Sequence, residues 1–212
     1  MNGKKLNNIR FISEIASTHN GSEKELTQLI KSLNSSKTDY IKFQIFEADE
    51  LCHKTSKMYQ GLKKVEIIKK QWRKILGNKF HKKIILEPFD ENSYEFCKNY
   101  KKNFLIKIPA SEHHNDDMIY DSVLNFKKVF FNFSGFNLNE ITQFLRKFNK
   151  YKKKFVLMYG FQSFPSNPKD LRLSIVKKIK NFGYHTGYAD HSLTDDKILT
   201  YLLTSKAIDL GV

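Results

Sequence analysis

The chain has 212 residues, 40% hydrophobic and 14% aromatic, enough for a full core in one domain and too few for two generous ones. Its 37 Lys and Arg against 22 Asp and Glu give a formal charge of +15, yet the lysines are spread over every helix-like stretch and form no stripe or tail. No nucleic-acid reading motif accompanies them, so the charge describes a solvated basic surface that can also draw an anionic small molecule toward a site.

Cys52 and Cys97 have no Cys-x-x-Cys or Cys/His spacing, which fits reduced thiols in a cytoplasmic protein without a role in the chemistry. No long apolar segment is present, and Met1-Asn2-Gly3-Lys4-Lys5 leads directly into a strand-like run, so neither a signal peptide nor a membrane span is expected.

In chain order, the first predicted strand is Ile9 to Ala16, and Ser17 to Ser22 supply turn and cap residues before a helix starting near Glu23. Tyr40 to Phe46 is the second strand. A long polar connection with a helical stretch at Val65 to Leu76 follows, a place where a barrel can carry a lid. The third strand is Lys83 to Leu86, closed by Pro88, and Asp90-Glu91-Asn92 caps a helix over Ser93 to Tyr100.

Phe104 to Ile108, ended by Pro109, is the fourth strand. Val129 to Phe133, Phe155 to Met158 and Gly187 to Ala189 are the fifth to seventh, with helices near Leu138 to Phe148, Asp170 to Lys180 and Thr194 to Ala207. Strict β/α alternation forces parallel pairing, so the expected fold is α/β, a TIM-type (β/α) barrel spanning 1–212. A full barrel takes roughly 250 residues and eight strands. Here the eighth strand is expected to be missing after Ile208-Asp209-Leu210-Gly211-Val212, which would leave a parallel edge open.

Each apolar run stops at a polar or ionisable residue: Glu14, Lys42, Glu87, Lys107, Ser134, Tyr159 and His191. In a barrel the carboxyl ends of the strands share one mouth, so the reacting groups are sought there. Glu14 and Lys42 alone could be a structural ion pair. Adding Lys107, Glu112, Asp190 and His191 asks for an anionic ligand, since two ammonium groups suit a dianion while a carboxylate and an imidazole suit acid/base or metal work.

The motifs Glu14-Ile15-Ala16-Ser17-Thr18-His19-Asn20-Gly21, Lys42-Phe43-Gln44, Pro88-Phe89-Asp90, Lys107-Ile108-Pro109-Ala110-Ser111-Glu112, Ser134-Gly135, Phe164-Pro165 and Gly187-Tyr188-Ala189-Asp190-His191-Ser192-Leu193 resemble, in order and spacing, the catalytic barrel of the N-acetylneuraminate (sialic acid) synthase family. The resemblance implies that C3 of phosphoenolpyruvate attacks the aldehyde of an open-chain N-acyl hexosamine of the N-acetylmannosamine type. Water then adds at C2 and phosphate leaves, giving a nine-carbon 2-keto acid. It also implies a divalent metal, manganese or magnesium, that polarises the aldehyde.

By position, the resemblance gives Lys42 and Lys107 to phosphoenolpyruvate, makes Glu112 the catalytic carboxylate and Glu14 a carboxylate near the substrate, and makes His191 a metal ligand. Ser111, Ser134, Gln162 and Asp190 are carried over as substrate-binding positions, and a homodimer is expected.

The departures from the family pattern are specific. Where the family ends strand three in Thr-Pro-Phe this chain has Glu87, and Ala110 and Phe133 stand where two serines contact phosphate. Ala189-Asp190-His191 replaces Ser-Asp-His, and Tyr159-Gly160, Gln162 and Phe164 replace a His-Cys pair, Asn and Tyr. The strand with Glu-x-His and the C-terminal antifreeze-like domain are expected to be absent. The alternative reading is a catalytically inactive barrel that binds a sugar or a protein partner. His19 fits either a site position or a helix-start cap, His113 and His114 are expected as solvated loop residues, and Trp72 as a packing residue.

Overall fold

The computed structural model describes residues 9–193 and 195–212. The leader expectation for Met1 to Lys5, and the helix start at Thr194, lie outside the described residues. The chain is α/β and of the (β/α)-barrel type, with seven strands among the described residues and every described strand pair parallel. It divides into two compact units, one of residues 1–112 and 125–127, the other of residues 113–124 and 128–212.

In the first unit β1 (Ile12–Glu14), β2 (Tyr40–Ile45), β3 (Lys83–Pro88) and β4 (Leu105–Ile108) lie in sequence order. Glu14 pairs with Lys42, and Gln44 with Glu87, so polar strand ends come level across neighbouring strands. β3 is buried at five of its six positions, the near-continuous apolar pattern of a parallel strand covered on both faces. Ile41, Ile85, Leu86 and Ile106 are fully buried, and Trp72 packs on Phe43 with ring centroids 5.5 Å apart, as its packing role requires.

The first predicted strand is longer than the observed one. Phe11 meets Asp39 and Tyr40 irregularly, its carbonyl accepting both of their N–H groups, and Ala16 turns into the left-handed region at φ 46°. The ladder is thus irregular at the first end, and the second leaves extended geometry at Ala16. Gly21 allows the following turn, because at φ +76° an added Cβ would lie 2.1 Å from the Lys64 carbonyl oxygen.

The helix α1 (Glu23–Ser35) starts where Ser22 accepts the Glu25 N–H, with Glu23 and Glu25 in the first turn. The long second connection is three helices, α2 (Ala48–Leu51), α3 (Tyr59–Val65) and α4 (Lys69–Leu76). Lys63 bridges Asp49 at 3.0 Å and Glu66 at 2.9 Å, and the Tyr59 hydroxyl donates to Asp49 at 2.8 Å. At α5 (Glu91–Lys98) the Asp90 cap accepts from Ser93 N–H and Oγ–H and from the Glu47 N–H, tying the end of β3 to the second connection.

In the second unit β5 (Val129–Asn132), β6 (Phe155–Tyr159) and β7 (His185–Tyr188) again lie in order. They alternate with α7 (Leu138–Lys147), α8 (Ser174–Asn181) and α9 (Lys197–Leu210). A further helix, α6 (Asp116–Asn125), follows β4, with Asp116 and Asp117 in its first turn.

The core of this unit is aromatic. Phe131 stacks on Phe144 at 4.5 Å, Phe144 meets Phe148 at 4.6 Å, and Phe133 packs edge-on to both Phe131 and Phe144. His113 belongs to this cluster, 4.7 Å from Phe136 and 5.7 Å from Phe131. It is half-buried among rings and not a solvated loop residue, since its flat ring fills aromatic packing that a polar contact elsewhere does not preclude.

Candidate active site

In the first unit three ionised side chains from β2, β3 and β4 meet: Lys42 lies mid-strand, third of the six residues of β2, while Glu87 and Lys107 are each next to last in their strands. Glu87 is 2% exposed, Lys42 6% and Lys107 7%. Burying charges is costly unless they are paired, and here each carboxylate oxygen of Glu87 serves one lysine. Oε2 accepts from Lys42 Nζ at 2.5 Å, and Oε1 accepts from Lys107 Nζ. Lys42 Nζ also reaches Glu14 Oε1 at 2.8 Å, and Gln44 Nε2 donates to that same oxygen at 2.7 Å.

Two ammonium groups and two carboxylates leave the cluster without net formal charge. Burial opposes ionisation of all three central groups. For Lys42 the fields of Glu87 and Glu14 outweigh burial and hold its ammonium above the ordinary lysine value. For Glu87 the two lysines outweigh burial and hold the carboxyl below its ordinary value. For Lys107 burial, aided by repulsion from Lys42, prevails over Glu87 and lowers its affinity for a proton. Lys107 is thus the more easily neutralised of the two lysines.

Gln44 and the bridging position of Glu87 were not foreseen. The period-2 rule carried the signal for Gln44, because residues 42 and 44 face the same way on a strand. For Glu87, flanking lysines on both neighbouring strand ends were the cue. Glu112 and Ser111 lie just beyond β4 in a short 3-10 turn, Ala110–Glu112, in which the Glu112 N–H donates to the Pro109 carbonyl at 3.1 Å. Ser111 is exposed and Glu112 half-buried.

The remaining expected positions lie in the second unit. Ser134 is 4% exposed, and its Oγ accepts the Gln162 N–H at 3.0 Å while the Gln162 side chain is exposed. Asp190 is exposed and gathers local donors: the Ser192 N–H at 3.1 Å, the Ser192 hydroxyl at 2.8 Å and the Tyr188 hydroxyl at 3.2 Å. Burial pushes the Tyr188 phenol up, and the Asp190 carboxylate adds to it.

Gly160 follows β6 where an added Cβ would lie 2.2 Å from the Ala189 carbonyl oxygen. Tyr159, also at a strand end, is 4% exposed, and its hydroxyl accepts the Arg172 N–H at 2.8 Å. Phe133 is fully buried in the aromatic core.

His191 is half-buried with Nδ1 2.6 Å from the Phe161 carbonyl oxygen. A carbonyl oxygen can only accept, so Nδ1 carries the hydrogen in that contact, and in the neutral ring Nε2 is the nitrogen with the lone pair. Among the described residues no three His, Cys, Asp or Glu side chains gather as a metal-ligand set.

His19 is 3% exposed and its Nδ1 accepts the Gly21 N–H at 3.1 Å, a turn-closing role; burial lowers its affinity for a proton. Cys97 is buried, which pushes its thiol up, and both cysteines are free. No helix among the described residues is long and apolar enough to cross a membrane.

The chain is 24% identical over 205 residues to N,N'-diacetyllegionaminic acid synthase of Legionella pneumophila, covering 86% of this chain and 57% of that protein. It is 22% identical over 192 residues to an uncharacterized protein of Methanocaldococcus jannaschii, covering 86% of this chain and 55% of the other. The chain therefore spans a little over half the length of these relatives.

Its fold matches that of N-acetylneuraminic acid (sialic acid) synthetase from Leptospira borgpetersenii, crystallised with citrate. The TM-score is 0.78 at 23% identity, over 93% of this chain and 70% of that one. The model of the NeuB family matches residues 29–209, which takes in Lys42, Glu87, Lys107, Glu112 and His191. The chain belongs to the NeuB family.

Proposed function

We propose that this chain serves a sialic acid synthase-type condensation, with Lys42 and Lys107 holding phosphoenolpyruvate and an open-chain N-acyl hexosamine of the N-acetylmannosamine type as the acceptor. In this reading a carbon–carbon bond forms between C3 of phosphoenolpyruvate and the aldehyde carbon. Water adds at C2, the C2–O bond to phosphate breaks, and inorganic phosphate and a nine-carbon 2-keto acid are released. Glu112 orients the aldehyde or moves a proton to its oxygen, and Glu14, held by Gln44, flanks the acceptor.

The observation that carries the reading is the pair of buried lysines converging from β2 and β4 on the end of β3. A buried lysine needs a paired anion, which Glu87 supplies here, and the two ammonium groups carry six N–H donors, part of them engaged by Glu87 and Glu14, a set suited to a phosphate or carboxylate that takes the place of Glu87. Membership of the NeuB family and similarity to a legionaminic acid synthase support the same class. The family's divalent metal remains part of the proposal for the complete site, with His191 as its one candidate ligand in this chain, and no step above is routed through it.

The test is a ³¹P NMR time course of the full chain with phosphoenolpyruvate, N-acetylmannosamine and manganese chloride. Hexosamine-dependent release of inorganic phosphate, lost in Lys107→Met, is expected. No release by folded protein would favour the second reading, a catalytically inactive barrel that binds a sugar or a protein. The observation favouring that reading is the Glu87 carboxylate lying on both lysines.

A further inference from the structure

We infer that Glu87 is an internal counter-ion that occupies the anion-holding position of Lys42 and Lys107, so that an anionic ligand enters only by displacing its carboxylate. The inference rests on the anion-site reading proposed above and adds a residue that restrains the site. Its geometry is that of a ligand: one carboxylate, 2% exposed, gives one oxygen to each of two buried ammonium groups. A carboxylate or phosphate arriving from solution would make this same bridging contact.

Charge balance strengthens the point. With Glu14 on Lys42, two positive and two negative groups already cancel, so a further anion meets no net positive charge in a buried place where charge counts most. Glu87 cannot retreat as a segment, because it lies next to the last residue of β3, pairs with Gln44 of β2 and precedes Pro88. Only its side chain can swing out, and doing so exposes the lysines while it loses both partners. The residue therefore acts as a latch on anion affinity.

The test is calorimetric titration of phosphoenolpyruvate into the full-length natural chain, Glu87→Gln and Glu87→Thr at one ionic strength. Glu95→Gln serves as a control that removes the same charge from an exposed helix position. Glu87→Gln keeps the shape and removes the charge, so its affinity should rise by about tenfold or more over the natural chain, while Glu95→Gln matches the natural chain.

If the natural chain binds and neither Glu87 variant binds more tightly, the counter-ion inference is overturned while the anion site stands. If only the Glu87 variants bind, the inference holds and the natural chain is closed to this ligand. If none binds, both the inference and the anion-site reading fail. Should Glu87→Gln not fold alone, millimolar phosphoenolpyruvate restores a cooperative melting transition if the inference is right. Failure of that rescue in both Glu87 variants overturns it.

Discussion

At the scale of single residues, the protein's unusual feature is a carboxylate shared by two buried lysines. Removing one member of such a set leaves uncompensated buried charge, which costs about 3–5 kcal/mol. Replacing all three by apolar residues of similar volume is neutral or gains about 1–4 kcal/mol. We therefore expect Glu87→Gln to lower unfolding stability in urea by about 3 kcal/mol, and Lys42→Met/Glu87→Leu/Lys107→Met to recover most of it. A single mutant as stable as the natural chain would show that the pairing does not hold in solution. The pH dependence has a definite sign. Glu87 titrates below its ordinary value of 4.5 in the folded chain, so its contribution is present above pH 4.5 and is lost as pH falls through the depressed value. The acid limb of the stability curve should flatten in Glu87→Gln. At the alkaline side the lysines oppose each other. Lys42, raised when folded, loses stabilisation as pH climbs through its folded value, whereas Lys107, lowered when folded, carries a cost that is relieved as pH rises from its folded value to the ordinary lysine value. Of these groups the sequence made visible the two lysines, as cations set within apolar strand runs. It did not make visible that Glu87 would bridge them, because a side chain's partner depends on strand register, which apolar patterning does not specify to the residue.

At the scale of elements, all seven expected strands are found among the described residues, because apolar β-branched runs bounded by Pro, Gly and polar residues are a strong local signal. Boundaries were less legible. The predicted helix from Asp170 begins instead at Ser174, after a 3-10 turn at Pro168–Asp170, since a proline at the start favours a tight turn but does not commit the chain to an α-helix. The predicted helical stretch Val65 to Leu76 starts too early: Val65 is the last residue of α3, Glu66 leaves helical geometry as its C-cap, and the helix of this stretch, α4, begins at Lys69. The Asp49–Lys63–Glu66 network pins this connection, and Lys63 and Tyr59 hold the Asp49 carboxyl down to about 2. Lys63→Ala should therefore raise amide hydrogen exchange over α2 and α3 and leave β2 protected. Equal exchange in both proteins would mean that packing alone orders the connection. Gly160→Ala tests a different constraint, for its Cβ would lie 2.2 Å from the Ala189 carbonyl oxygen. A loss of about 1–3 kcal/mol is expected from the forced shift. In contrast, Ile198, Tyr201 and Leu202 on α9 are 75%, 68% and 57% exposed, and Tyr201→Lys should change stability by less than about 0.5 kcal/mol.

At the scale of the whole molecule, the α/β class and the family were readable because many short motifs recur in the right order, although no single one is decisive. Less readable was the chemistry of the site, since that depends on which groups partner one another. The charge of +15 belongs to this scale as well. Scattered surface charge attracts an anion through a field that salt screens over about 8 Å at physiological ionic strength, whereas buried pairs are screened far less. The association rate of phosphoenolpyruvate should therefore fall as salt rises from low to physiological levels, with a smaller change in its dissociation rate. Stopped-flow binding would reveal the opposite split if the surface charge played no part. The account rests most heavily on Lys42 and Lys107 forming an anion site, and calorimetric titration of phosphoenolpyruvate into the natural chain, with Lys107→Met alongside, tests it most directly. Saturable binding that disappears in Lys107→Met is the predicted result; no binding at millimolar ligand by the folded natural chain and folded Glu87→Gln alike, or the same binding in the natural chain and Lys107→Met, would contradict it.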